Sequence, residues 1–533
     1  MLRTLGICHS GADSHLVLAA CSARRACQRD WLLAECADAR QSPPHAPGRA
    51  APIPGVEGVR AVAAVSVLIF HCWQYGADGP SRADLGLVDR FVLPHLSLGV
   101  TLFFSLSGFL LYQPFVAAAL SGSPFPKVGS YFRNRALRIL PAYWVILLAV
   151  GVLLPAALVR QSRDQLVLGR LVENPWLAVR NATLTQGYSP TGLLSGIAPA
   201  WSLAVEVVFY LALPLLGLLA VVAARRAATP TRRLLAGLVP AGLLLVVGLS
   251  GRAVARFLIP AEGMAPGWDG DWHSVIVRSF WAKADLFTFG MALAVVYVSL
   301  QQGLVRLPDR WPLVAVAYAA ALVVPTLLLV DRGLIDKSMY AYQLPTSLAC
   351  TLLLAVVVLP DRAASPSLLV GLLASRPVVA VGLASYSLFL WHDPVQRLLH
   401  ERGLTMDGSG GLVVNLAVLG LLSGLLSALT YRYVERPALR RKTRPQPQRP
   451  TRPVSRWRRR SGPDLVHTPS EPSGSQRCPA VRRSPRQQTR SWGSKPGCRT
   501  LISLGAALRR RPFPDENWSG CPLTPDVLGR RGR

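Results

Sequence analysis

The stretch Arg60-Ala-Val-Ala-Ala-Val-Ser-Val-Leu-Ile-Phe-His71 decides the reading of this chain. A strong cation and an imidazole are separated only by apolar residues and one serine. On a helix, eleven positions make about three turns, so the two side chains return to within roughly 20° of one face, about 16 Å apart along the axis. That is about half of a bilayer's hydrocarbon core. One face of one membrane helix therefore carries an anion-binding group near one surface and a proton-transfer group deeper in. Ionisable groups inside a span are costly and mark functional candidates. The plainer alternative is a basic flank followed by an interfacial histidine.

Composition extends this reading to the whole chain. Of 533 residues, 51% are hydrophobic and only 16% charged, against about 25% charged in soluble domains. Apolar runs of spanning length recur near 56–76, 97–118, 139–159, 201–224, 234–250, 280–300, 312–330, 341–359, 378–399 and 411–434. The fold class is an all-α polytopic membrane protein, with about ten transmembrane helices in one bundle.

The net charge of +30 is unevenly placed. Residues 438–533 hold 23 Lys and Arg against 5 Asp and Glu, residues 1–50 hold 6 against 4, and the membrane region supplies the remaining +10. Three segments follow: a poorly ordered extension over 1–50, a transmembrane domain over 51–440 and a basic Pro/Arg-rich tail over 441–533, which reads as disordered. The tail suits attraction to anionic membrane lipids. It has no aromatic-interleaved basic patch, so no specific nucleic-acid partner is expected. Seven of nine cysteines lie in the flanks, and no Cys/His ligand spacing occurs in the membrane region, so neither a disulfide framework nor a metal site is expected.

Loop charges give an orientation. Short basic loops carry Lys127, Arg133, Arg135 and Arg138, then Arg225, Arg226, Arg232 and Arg233; the opposite loops are longer and hold Asp84, Asp89, Asp164, Glu173, Asp269 and Asp271. Basic density places both termini in the cytoplasm of a multi-pass protein of the cell (plasma) membrane. Arg60 then faces the cytoplasmic side and His71 the outer side.

Further polar groups interrupt the spans. In the second, Ser105, Ser107 and Gly108 are small residues that permit close helix approach. Arg135 and Arg138, at i and i+3, precede and enter the third on one helix face; such a face suits phosphate groups or is an ordinary basic flank. Trp201-Ser202-Leu203-Ala204-Val205-Glu206 opens the fourth, with Ser202 and Glu206 on one face. Glu206 has no cation within reach on its own helix, so a partner on another helix is expected. In the sixth, Lys283 and Asp285 precede the run Leu286–Met291; in the ninth, His392 and Asp393 set an imidazole beside a carboxylate. His392, Asp393 and Asp285 form a candidate second polar site.

Together these segments resemble the acyltransferase 3 family of integral membrane acyltransferases. The matching pieces are Gly58-Val59-Arg60-Ala61 through Phe70-His71, Gly99-Val100 through Ser107-Gly108-Phe109, Arg135 through Pro141-Ala142-Tyr143, Trp201-Ser202-Leu203 through Glu206, Ser385-Tyr386-Ser387 through Trp391-His392, and Tyr431-Arg432-Tyr433-Val434-Glu435-Arg436-Pro437. They occur in the family's order and cover about residues 53–440. The resemblance implies ten core helices, an acyl-CoA co-substrate on the cytoplasmic side with no bound cofactor, and transfer of an acyl group, commonly acetyl, to a hydroxyl of a carbohydrate or small natural product.

The resemblance also assigns roles. Arg60, with Arg135, Arg138, Ser107, Trp201 and Ser202, is expected to bind the acyl-CoA or substrate. His71 and Glu206 are the expected catalytic pair, with His71 either taking the acceptor's proton or first receiving the acyl group. There are departures. Val207 and Val208 stand where relatives often carry polar residues. Residues 438–533 hold no Gly-Asp-Ser motif, so a single-domain enzyme, or one working with a separate partner protein, is expected. A transporter or flippase of a lipid-linked or glycan substrate would also bury Arg, His and Glu; the ordered motifs, and the lack of paired broken spans in matching halves, favour the enzyme.

Overall fold

The computed structural model describes residues 53–75, 85–162, 165–259, 261–262, 267–335, 340–359 and 368–442. The extension over 1–50, the tail beyond Lys442, and the loop acids Asp84 and Asp164 lie outside the described residues. Ten helices carry the architecture: α1 (Val56–Tyr75), α2 (Leu98–Ser121), α3 (Val128–Leu148), α4 (Trp201–Arg225), α5 (Pro230–Phe257), α6 (Asp285–Gln301), α7 (Trp311–Asp331), α8 (Tyr340–Val358), α9 (Arg376–Glu401) and α10 (Gly408–Thr430). Among the described residues nine helical segments are long and apolar enough to cross a membrane, and α6 is a shorter apolar helix of 17 residues. The polytopic all-α class is as expected.

Helix α2 is the hub. Its Phe104 packs on Phe287 of α6, with ring centroids 5.0 Å apart, and Phe209 of α4 stacks on the same ring at 4.0 Å. The α2 and α6 backbones nearly touch. A Cβ on Gly108 would lie 2.5 Å from the Phe287 carbonyl oxygen, and one on Gly290 would lie 2.0 Å from that of Ser105. Only glycine permits this approach, which is how membrane helices associate without a hydrophobic difference from lipid. Helix α1 lies parallel to α9 and is packed by the same device: a Cβ on Gly382 would meet the Glu57 carbonyl oxygen at 1.9 Å, and further along both helices His71 meets His392. This contact sets the α1/α9 register that places the two functional histidine candidates side by side.

Two features differ from the sequence reading. The third span begins at Val128 rather than near residue 139, and continues through a π-helical turn, Ala149–Leu153. Arg135 and Arg138 therefore lie inside the helix. Their charges lower the local hydropathy and hide its first turns, about three of them, while the fold has a polar cavity to receive them. The expected apolar run ended at 159, but Ala157–Arg160 forms β1, which pairs antiparallel with β2 (Leu166–Gly169), Ala157 opposite Gly169. Four-residue strands leave too little periodicity to separate from the end of an apolar helix.

Candidate active site

A partly open cavity of about 810 Å³, open space at its mouth included, lies among α1, α2, α3, α4 and α9. Its polar wall holds Arg60, Arg135, Arg138, Ser107, Ser202 and Glu206, six of the residues singled out in the sequence, together with Tyr210, Ser385 and Tyr386. Phe103, Phe104 and Phe389 supply much of the apolar wall.

The three guanidiniums are not equivalent. Arg60 Nη1 is 3.3 Å from the Glu57 carboxylate, one turn back on α1. Arg138 Nη1 is 3.5 Å from Glu435, at the end of the π-helical turn Tyr431–Glu435 that follows α10. Arg135 has neither an ion pair nor a hydrogen bond among the described residues; its Nε is buried and its guanidinium sits 6.0 Å from the Tyr210 ring centroid. Just beyond the last span, the Lys442 ammonium is pushed down to about 7, first by burial and then by Arg135, Arg138 and Arg60. The arginines' positive field is therefore not cancelled by their carboxylates.

Glu206 finds its expected partner on another helix, but that partner is the hydroxyl of Ser107, which donates to Oε1. The Tyr210 hydroxyl, one turn further along α4, lies beside the same carboxylate. Ser202 reaches the wall, with its hydroxyl donated to the Pro199 carbonyl at 2.9 Å. Trp201 stands behind the wall against Phe104, at a centroid distance of 6.4 Å, with Arg278 5.1 Å from its ring centroid.

His71 is not among the residues lining the cavity. It meets His392 across the α1/α9 contact, with His392 Nε2 3.0 Å from His71 Nδ1. Phe389 joins the two regions: it lines the cavity, and its ring centroid lies 5.7 Å from that of His392.

The candidate second polar site does not exist as a unit. His392 belongs with His71. The Asp393 carboxylate turns to Arg397, one turn along α9, accepting from Nε at 3.1 and 3.0 Å. Asp285 is elsewhere, buried against Arg252 of α5 with Nη2 2.7 and 2.8 Å from its two oxygens, while Arg252 also donates to Gln343 of α8. Sharing a broadly polar character did not bring these side chains together, because a buried carboxylate takes whichever cation its helix packing supplies.

Tyr210, Tyr386 and Glu435 were not among the expected site residues. Tyr386 and Glu435 stood inside quoted motifs, and Tyr210 lies one turn from Glu206, but no spacing placed any of them at Arg135 or Arg138. Among the described residues no group of three or more His, Cys, Asp or Glu forms a metal cluster.

A polytopic helical bundle with a cationic cavity at its centre defines the class. Residues 53–432 match the acyltransferase 3 family model, an acyltransferase domain, and the chain belongs to that family. It is 22% identical over 396 residues to the O-acetyltransferase OatA of Staphylococcus aureus (strain NCTC 8325 / PS 47), covering 72% of this chain and 57% of that protein. It is 24% identical over 391 residues, with the same coverage, to a protein of Staphylococcus aureus (strain COL) named "Putative O-acetyltransferase SACOL0978". The matched region thus spans little more than half the length of these relatives. No solved structure matches.

Proposed function

We propose that this protein is a membrane O-acyltransferase that moves an acyl group, acetyl in the first instance, from acyl-CoA to a hydroxyl of a carbohydrate or small natural product. The observation that supports it most is the gathering of Arg60, Arg135 and Arg138 around one cavity, with Arg135 left without a carboxylate. Three guanidiniums suit the phosphates of a coenzyme A donor, and the planar fork of each can hold a phosphate through two hydrogen bonds. On this reading the arginine end of α1 faces the cytoplasm of a plasma-membrane protein with both termini inside, residues 51–440 form the working domain, and the flanks are extensions.

His71 lies further along the same helix, behind Phe389. The acyl end of the donor reaches past that ring toward it. The imidazole takes the proton of the acceptor hydroxyl as its oxygen attacks the thioester carbonyl. The carbon–sulfur bond breaks, the ester forms, and the imidazolium returns its proton to the leaving thiolate. Glu206, held by Ser107, orients the cavity's hydrogen-bonding groups.

The test uses the protein in sealed vesicles with labelled acetyl-CoA on the arginine side and a panel of glycans and hydroxylated metabolites on the other. Ester-linked label on an acceptor supports the proposal. Movement of an unmodified lipid-linked or glycan substrate with no acetyl transfer would replace it with a transporter.

A further inference from the structure

We infer that His392 is a positioning residue that holds His71 in the tautomer with a free Nε2 lone pair; this rests on the acyl-transfer reading of His71 given above. Donors and acceptors around the two rings fix the tautomers. His71 Nδ1 lies 3.0 Å from the carbonyl oxygen of Val67, four residues back on α1. His392 Nδ1 lies 3.2 Å from the carbonyl oxygen of Leu388, four residues back on α9. A carbonyl oxygen only accepts, so each Nδ1 must carry the hydrogen. In a neutral imidazole the other nitrogen is then an acceptor.

The third contact follows. His392 Nε2 and His71 Nδ1 are 3.0 Å apart, so the His71 Nδ1–H is shared between the Val67 carbonyl and the His392 Nε2 lone pair. The reverse arrangement, with His392 Nε2–H donating, would turn both Nδ1 lone pairs toward carbonyl lone pairs. Only one assignment satisfies all three contacts.

Its consequence is at the far nitrogen. His71 Nε2 has no hydrogen-bond partner among the described residues and is not sealed off by surrounding atoms. It is the free basic nitrogen of the pair. His392 is fully buried and both its ring nitrogens are engaged, by the Leu388 carbonyl and by His71, so it acts through His71 rather than on substrate. Asp393, the group a catalytic-triad reading would choose as orienter, is committed to Arg397. An imidazole here fills the orienting position that a carboxylate fills in serine hydrolases.

The test compares His392→Gln, whose side-chain carbonyl accepts from Nδ1–H, with His392→Leu, which accepts nothing. Both are measured in vesicles with kcat and donor KM determined separately. His392→Leu should lose kcat by roughly 10- to 100-fold, the scale of a misdirected base, with donor KM within about twofold, and His392→Gln should recover most of that loss. Equal loss in both variants, or normal kcat in His392→Leu, overturns the inference. Should His392→Leu fail to insert, ring nitrogen NMR of labelled wild-type protein in bilayers decides: Nδ1 of His71 protonated and Nε2 bare is the expected result, and the opposite tautomer overturns it. His71→Ala separates the two levels. If it keeps turnover, the acyl-transfer role of His71 falls; if it is inactive while His392→Leu is normal, only the positioning role falls.

Discussion

The two ends of α1 solve opposite problems. Near its start, Arg60 sits among other guanidiniums and their partial carboxylate partners beside an open cavity. Near its end, His71 sits against a second imidazole in the α1/α9 contact, outside that cavity's lining. The first region concentrates charge; the second fixes the direction of one uncharged hydrogen-bond chain. Charge suits a donor's phosphates, and direction suits a proton transfer. Phe389, which touches both regions, is where the two must be joined.

The sharpest way to break the comparison is to remove the imidazole. His71→Ala should insert normally, since losing a polar group from a span eases insertion. Acyl transfer per inserted molecule should fall by on the order of 100-fold or more, with donor affinity little changed. Near-normal turnover would move the chemistry into the cavity, toward Glu206.

A second pair of cations sharpens what the arginine cavity means. Arg252 is buried and ion-paired, its Nη2 reaching both oxygens of Asp285; Arg135 has no carboxylate partner among the described residues. Arg252→Ala should therefore act on stability, costing about 3 kcal/mol because Asp285 is left buried without its ion-pair partner; thermal inactivation of the purified protein reads this, with the donor KM of surviving protein unchanged. Arg135→Ala should do the reverse. It should raise donor KM roughly 10-fold with little loss of stability, and Arg135→Lys should recover only part because the planar fork is gone. A stability loss in Arg135→Ala matching that of Arg252→Ala would show that the cavity arginines are structural.

These contrasts mark how much the sequence disclosed. The helices were legible because apolar length alone identifies a span, and the run near 234–250 proved to be part of the longer α5, Pro230–Phe257. Six cavity residues were legible because charge and small polar groups inside apolar runs are conspicuous. What stayed hidden was pairing. The start of α3 was masked by the arginines it buries. Asp285 looked like a site residue until its partner Arg252, 33 positions away, was in view. His71 and His392 are 321 positions apart, and only the Gly382 contact that brings α9 against α1 sets their register.

The smallest expected effect lies outside the membrane spans. Asp271 caps the short helix Trp272–Arg278, accepting from Ser274 N–H at 2.7 Å, and it also accepts from Glu262 N–H at 3.1 Å. Burial pushes its carboxyl up, but hydrogen bonds from the Ser274 hydroxyl and from the two backbone N–H groups outweigh that and hold it below the usual carboxylate range. A carboxyl lowered in the folded state contributes stability that is present above its unfolded value, near 3.9, and is lost as pH falls through the folded value. Asp271→Ala should cost about 1 kcal/mol at neutral pH, the worth of an N-cap. Asp271→Asn should keep most of that stability, because its side-chain oxygen still caps, while flattening the acid limb of the stability profile. Thermal midpoints of the three proteins from pH 7 down to pH 3 check this. Catalytic constants at neutral pH should be the same in all three, since nothing at Asp271 touches the cavity or the histidine pair; a changed donor KM would extend the functional region into the loop before α6.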